Sequence, residues 1–244
     1  MPVVSLRGLI RQSSARRPPI CSAWPPRITR LPGRRYGPSM ERDVTGSGRY
    51  DESLSALEAA LIRVGVAHDF RPGDPVDVSR TAGVLPLSPE LMDFYAAAGA
   101  GLPEHIPAPL GEISLFPIAK LVDAQAGYRW NASTREPLDG WPAAWVVVAA
   151  QEGDPFIADT GTPGTPVGVA VHGSGAWQPH WVAPTFRDFL ALLTAFTYGY
   201  VVDFLAADDD QTVDDMAYLT TVEARLQAIA PAVNAETFLA YLSL

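Results

Sequence analysis

Apolar positions in this chain follow two periods, and the boundaries between them mark the predicted elements. Residues 144–150 form an unbroken apolar run of strand length, which is typical of a strand buried on both faces. Gly153 supplies a turn, and a short apolar return at 156–158 begins after Pro155. The pattern predicts a hairpin in the middle of a sheet. Tryptophans that flank or lie in these and the following strands are expected to pack across them: Trp141, Trp145, Trp177 and Trp181.

Helical periodicity predicts helices on both sides of this hairpin. An apolar stripe over 54–64 predicts a first helix, for which Asp51 is the expected cap. Ser88 predicts the start of a second helix, and Thr185 with Asp188 predicts the start of a third. Further helices are expected at 120–130, 213–229 and 235–242, further strands at 113–118 and 167–172, and loops at 68–83 and 102–111.

This order of elements predicts an α+β fold, with a mainly antiparallel central sheet flanked by helices. We expect the folded domain over 50–205 and a C-terminal helical extension over 206–244 that packs on it. Residues 1–49 are predicted to be a disordered basic extension, because 1–40 contain eight Arg, seven Pro and no acidic residue. Their composition resembles a transit peptide, but we favour the simpler interpretation that translation begins at Met40 and that the preceding residues are upstream sequence.

Charge is unevenly distributed along the chain. The formal net charge is −9, but residues 1–40 carry +8, so the remaining 204 residues carry −17. An acidic body favours basic partners and argues against nucleic-acid binding, although acidity can also serve solubility alone. The single cysteine, Cys21, cannot form an internal disulfide, and no apolar run reaches the roughly 20 residues of a membrane span. We expect a cytoplasmic protein with no membrane partner.

Side chains that could carry chemistry do not combine into a catalytic site. Asp154 and Asp159 are candidates for an acid/base pair, but five residues of strand put them on opposite faces. We interpret them as turn and strand-end residues. Ser174 does not lie in a G-x-S-x-G motif, and His172 and His180 lack the i, i+4 spacing of many zinc sites. We therefore predict no catalytic residue, no metal and no cofactor.

An aspartate cluster near the C-terminus is the most distinctive polar feature: Asp208, Asp209, Asp210, Asp214 and Asp215. Such a run is usually a solvated linker. The alternative is a negative patch that attracts a basic protein, and on that interpretation these aspartates are the candidate partner-binding residues. Both interpretations stay open.

A family resemblance rests on residues of the central hairpin: Trp145, Gly153, Asp154, Pro155, Phe156 and Asp159. Segments 85–95, 166–172 and 183–190 follow the family's order as an early helix, a strand and a closing helix. Together they resemble the SUKH superfamily over 50–193, which includes cell-wall-assembly regulators and many bacterial immunity proteins. The chain departs from the family at Ala98-Gly99, where an Asn-Gly pair is common, so any role of that Asn is absent.

The SUKH resemblance implies a protein-binding function without chemistry. We expect an immunity protein of a polymorphic toxin system, which blocks a basic toxin domain, often a nuclease, by occlusion. The six hairpin residues would then be structural. The alternative is a regulatory or scaffold protein of the same fold without a toxin partner, and an unrecognised hydrolase is a third possibility.

Overall fold

Six antiparallel strands form one sheet at the centre of the fold. The strands are β1 (Ile106–Ala108), β2 (Gly111–Leu115), β3 (Trp145–Gln151), β4 (Asp154–Asp159), β5 (Val167–Val169) and β6 (His180–Ala183). They lie side by side in chain order, so the sheet is a meander. The hairpin of β3 and β4 occupies its middle, which confirms the predicted central hairpin.

The computed structural model describes residues 50–66, 68–108, 111–173, 176–202, 220, 222–224, 226–228 and 231–242. All of them belong to one unit that spans Thr45–Leu244. The predicted basic extension, the aspartate cluster and Ser174 lie outside the described residues, as does most of the helix predicted at 213–229.

Three helices precede the strands along the chain, one lies between β2 and β3, and two follow β6. They are α1 (Asp51–Val64), α2 (Pro75–Ala82), α3 (Pro89–Ala98), α4 (Ile118–Leu121), α5 (Phe186–Phe196) and α6 (Ala235–Leu242). A 3-10 turn at Asp123–Gln125 follows α4, and a π-helical turn at Thr197–Val202 follows α5. The antiparallel sheet with flanking helices confirms the predicted α+β class. Within the described part of the chain, no helix is long and apolar enough to cross a membrane.

One face of the sheet, which we term the inner face, is covered by α5 and α6. The ring of Phe156 in β4 lies 5.5 Å from that of Phe189 on α5, and 6.2 and 5.4 Å from those of Phe238 and Tyr241 on α6. Phe156 is fully buried, and burial of such a side chain contributes about 1.5–3 kcal/mol. The inner face therefore holds the main hydrophobic core.

The opposite face of the sheet, which we term the outer face, is also covered at its centre. Val146 belongs to the inner core, so strand alternation directs Trp145 and Val147 to the outer face. A bulge after Val147 returns Ala149 to the inner core. Val147 and its β4 partner Ile157 are nevertheless 0% exposed. The apolar run is thus buried on both faces, as its composition predicted.

Two of the predicted helix starts are confirmed by their capping contacts. The Ser88 hydroxyl accepts the N–H three residues later at 3.2 Å, and Thr185 accepts the N–H of Asp188 at 3.0 Å. The first helix was predicted to be capped by Asp51, and this is wrong. Tyr50 occupies the cap position without a side-chain hydrogen bond, so Asp51 lies in the first turn, where its charge favours the helix dipole.

Three short elements lie where the sequence predicted none. Helix α2 lies in the predicted loop at 68–83, because Asp74 accepts the N–H of Val76 at 2.8 Å and Pro75 takes the first helical position. Strand β1 lies in the predicted connector at 102–111, and β6 precedes the closing helix. Both form the edges of the sheet, where three or four residues leave only a weak pattern.

Candidate functional site

Five aromatic side chains form a continuous cluster on the outer face, which we term the aromatic strip: Tyr128, Trp141, Trp145, Trp177 and Trp181. Neighbouring ring centroids lie 5.4–6.3 Å apart in tilted or edge-to-face arrangements, the preferred geometry of aromatic pairs. The members come from the connector before β3, from β3, from the β5–β6 loop and from β6. The sequence predicted cross-strand packing of the four tryptophans but not the fifth ring, Tyr128.

Gly168 allows Trp181 to lie directly against the sheet. The two residues pair between β5 and β6, and a β-carbon on Gly168 would lie only 2.9 Å from the indole atom Cε3. The indole ring therefore packs directly on the backbone of β5, at a position where glycine has no side chain. Trp181 nevertheless keeps 42% of its surface exposed, and the other four members of the strip are partly buried. The strip is therefore a partly solvated aromatic surface.

Polar contacts hold two of the rings in place. The Tyr128 hydroxyl donates to the carbonyl oxygen of Gly153 at the hairpin turn, at 2.7 Å. The Trp141 indole N–H donates to the carbonyl oxygen of Trp145 at 3.1 Å. Both rings are therefore fixed to the central hairpin, and a ligand would meet a surface that is largely preorganised.

Gln125 completes the part of β3 that β2 leaves unpaired. β2 pairs with residues 149–151 of β3, so the first half of β3 lacks a neighbour on that side. The buried Gln125 amide donates to the carbonyl oxygen of Val147 and accepts its N–H, each at 2.9 Å. Arg129 donates to the carbonyl oxygen of Ala143 at 2.9 Å. The Gln125 amide thus satisfies backbone groups of Val147 that burial would otherwise leave without partners.

Asp154 lies at the hairpin turn, close to Tyr128, and holds His172. Its Oδ1 accepts the backbone N–H of His172 at 2.7 Å and lies 2.5 Å from the ring atom Nδ1. Burial, with a smaller contribution from the charge of Asp154, raises the pKa of Tyr128 above its ordinary value. The contacts are those expected of a turn residue. The sequence did not predict the pairing with His172.

Asp159 lies at the other end of β4, where it pairs with Trp145 across the ladder. Its carboxylate accepts the N–H of Gly161 at 3.0 Å and the hydroxyl of Thr162 at 2.9 Å, which closes the turn after the strand. Five residues of strand separate Asp159 from Asp154 by about 17 Å. The two carboxylates therefore do not form an acid/base pair. Asp159 lies on the outer face beside Trp145, whereas strand alternation places Asp154 on the face of Phe156.

The other hairpin residues of the predicted signature are divided between turn, core and strip. Gly153 has a φ of +92°, a conformation that favours glycine. Pro155 and Phe156 are buried, and Phe156 belongs to the inner core. Trp145 was expected to be substantially buried but is only partly buried, because it faces the strip. A purely structural role for this set stays a prediction.

The described lysine and arginine side chains are already engaged. Four pair with carboxylates of their own surroundings: Arg71, Arg80, Lys120 and Arg135. Arg63 and Arg187 lie over the rings of Tyr198 and Tyr50, with 6.0 and 5.8 Å between the guanidinium carbon and the ring centroid. With the net negative charge of the body, this arrangement leaves the described surface with an excess of carboxylates.

A separate open cleft of about 710 Å³ lies between the start of α2, the loop at 99–101 and residues 117–120. Its charged side chains are engaged locally. Asp74 caps α2, Asp77 pairs with Arg80, and Lys120 pairs with Glu104 at 2.6 Å. Nothing in the cleft converges on a common point, so the aromatic strip is the stronger candidate site.

No group of three or more potential metal ligands lies within the described part of the chain. Comparison with known proteins gives no match to any family model, curated protein or solved structure. The resemblance to the SUKH superfamily therefore stays a prediction.

Proposed function

We propose that this chain is a protein-binding domain without catalytic activity, and that it acts as an immunity protein by covering a cognate toxin domain. The observation that carries the binding role is the aromatic strip. Tryptophan and tyrosine are enriched in protein interfaces, where large rigid rings give much contact area at low entropic cost. The toxin partner follows from the family resemblance in the hairpin sequence.

The charge of the body supports a basic partner. Residues beyond 40 carry a formal charge of −17, and the described cations are paired or stacked within the domain. Long-range attraction would accelerate the encounter with a basic toxin domain more than it would strengthen the final complex. The aspartates at 208–215 would add to this field, or would act as a solvated linker if they lie away from the interface.

Co-expression with a candidate toxin domain from a neighbouring gene tests the proposal. The chain should protect cells and form a complex, and its association rate should fall markedly as salt rises. The triple variant Asp208→Asn, Asp209→Asn, Asp210→Asn should lower the association rate more than it raises the dissociation rate, if the cluster belongs to the attracting field. Lack of protection and of complex formation would reject the immunity function for that pair.

A regulatory or scaffold protein without a toxin partner is the alternative, and it would use the same surface. Capture of a non-toxin partner that depends on the aromatic strip would favour it.

A hydrolase is the third candidate, and the pair of Asp154 with His172 is the observation that favours it. A carboxylate at Nδ1 leaves Nε2 of an exposed imidazole as a proton acceptor. A broad hydrolase screen should find activity that His172→Gln abolishes if this interpretation is right. Activity that survives His172→Gln would assign it to other groups.

A further inference from the structure

We propose that the aromatic strip is the contact surface for the basic partner, and that it binds arginine or lysine side chains stacked on its rings. This inference rests on the proposed function, because it names the surface through which the domain would bind. It adds the chemistry of recognition, a cation against an aromatic face with the carboxylate of Asp159 beside Trp145.

The first support is that folding alone does not account for the strip. Val147 and Ile157 must be covered on the outer face, and they are 0% exposed. Leucine or valine side chains from the connector would cover them equally well. The outer face instead carries five large rings, and Trp181 keeps 42% of its surface exposed. A contiguous aromatic surface of this kind that is partly exposed to solvent is typical of a binding site.

The second support is the electrostatic setting of the rings. The carboxylate of Asp159 lies at the end of β4, on the same face as its ladder partner Trp145. Indole and phenol faces carry negative quadrupoles, and neighbouring carboxylates add to that potential. A guanidinium stacks on such a face and can donate its N–H groups to a carboxylate at the same time. The strip is therefore complementary to arginine above other side chains.

The third support is that the domain's own cations do not occupy the exposed faces. Arg129 lies nearest in sequence, but its guanidinium donates to the carbonyl oxygens of Ala143 and Trp145, at 2.9 and 3.4 Å. Arg135 pairs with Asp123 at 2.6 Å and lies over the ring of Trp130, which is not part of the strip. Among the described contacts of lysine and arginine with rings, none involves the strip.

A short capped peptide of alternating arginine and glycine is the probe, with its citrulline counterpart as the uncharged control. Citrulline keeps the planar shape but removes the charge. Both are titrated into the full chain at low and high salt, and binding is measured by tryptophan fluorescence and calorimetry. The arginine peptide should bind, salt should weaken it, and the citrulline peptide should bind at least about tenfold more weakly, as loss of roughly 1.4 kcal/mol would give.

Substitutions at Trp181 separate aromatic stacking from simple apolar contact. Trp181→Leu keeps an apolar side chain over Gly168 and should weaken the arginine peptide about two- to fivefold, whereas Trp181→Phe should weaken it less. Ile62→Ala is the matched control, because Ile62 is a large apolar residue on α1 with 65% exposure and should leave binding unchanged. Thermal melts of each variant establish that it is folded before it is titrated.

Several outcomes would overturn the inference. These are a wild-type chain that does not bind the arginine peptide, equal binding of the citrulline peptide, or wild-type affinity in Trp181→Leu. Binding of a neutral polysaccharide with no response to arginine would also overturn it, in favour of a carbohydrate surface.

The same variants distinguish this inference from the proposed function. If a toxin complex forms and Trp181→Leu leaves it intact, the surface is wrong and the immunity function stands. If the strip binds arginine but no toxin is neutralised, the immunity function fails and the surface stands.

Discussion

The two faces of the β-sheet are covered in different ways. On the inner face, α5 and α6 bury Phe156 and its neighbours completely, so every large side chain there serves the core. On the outer face, rings from the connector before β3, from two strands and from the β5–β6 loop form the aromatic strip, which lies partly in water. Burial alone explains the inner face. The outer face carries more aromatic surface than burial requires, and this excess points to recognition.

The two faces of the sheet also differ in the interactions that stabilise them. The inner face depends on the packing of apolar side chains, which tolerates changes that keep volume and shape. The outer face depends on particular hydrogen bonds, such as those of the Gln125 amide with Val147 and of the Tyr128 hydroxyl with Gly153. Directional contacts hold rings in one arrangement, which a binding surface needs and a core does not.

The largest expected effect is a loss of folding stability, which we compare for one residue from each face. Phe156→Ala should lower the free energy of unfolding by about 3–5 kcal/mol, because it leaves a cavity between β4, α5 and α6. Trp181→Ala should lower it by about 2 kcal/mol, since much of the ring is already in water. Urea denaturation of both variants measures the difference. Equal losses would mean that the outer face is as much a core as the inner one.

The next effect tests the hydrogen-bonded support of the outer face. Gln125→Ala should destabilise the domain by about 2–4 kcal/mol, because the N–H and carbonyl groups of Val147 would both lose their buried partner. Gln227→Ala is the matched control, since its amide donates to the carbonyl oxygen of Pro231 at an exposed site. Denaturation curves of the two variants are compared. A Gln125→Ala loss no larger than that of the control would show that water replaces the amide.

The inner face was more predictable from the sequence than the outer one, for physical reasons. Periodicity and capping act over three to seven residues, so β3, β4, α3 and α5 left clear local signals. The helix start at Asp74-Pro75 lies within a predicted loop, because helix starts and turns share residue types. The strip depends on contacts between residues far apart in the sequence, such as the hydrogen bond of Tyr128 with Gly153 across 25 residues, which no local pattern records.

A smaller effect concerns the carboxylate of Asp154 at the hairpin turn. Asp154→Ala should lower the free energy of unfolding by about 0.5–2 kcal/mol, because it removes the acceptor for the backbone N–H and ring of His172. Asp159→Ala, which removes the turn contacts to Gly161 and Thr162, gives the comparison at the other end of β4. Chemical denaturation with a binding assay separates the roles. Full stability with complete loss of biological effect would contradict the structural assignment of Asp154.

The smallest expected effect is a gain in stability from removal of a buried hydroxyl. Tyr241 is 6% exposed, and its hydroxyl has no hydrogen-bond partner among the described residues. Tyr241→Phe should therefore raise the free energy of unfolding by about 0.5–1 kcal/mol. Tyr128→Phe is the matched opposite, because that hydroxyl donates to Gly153 and its loss should cost a similar amount. Destabilisation by Tyr241→Phe would show that its hydroxyl is bonded in solution.

The pH dependence of the Tyr241→Phe gain provides an independent check on the burial of this hydroxyl. Burial raises the pKa of Tyr241, and the charges of Asp154 and Tyr128 add to the effect. The folded protein thus holds the phenolic proton more tightly than the unfolded chain, in which tyrosine titrates near about pH 10. Stability from this proton is fully present below that pH and is lost as pH rises through the folded pKa. The advantage of Tyr241→Phe over wild type should therefore be constant below about pH 10 and widen above it. Denaturation of both proteins from neutral to alkaline pH measures this, and an advantage that stays constant throughout would show that Tyr241 titrates normally.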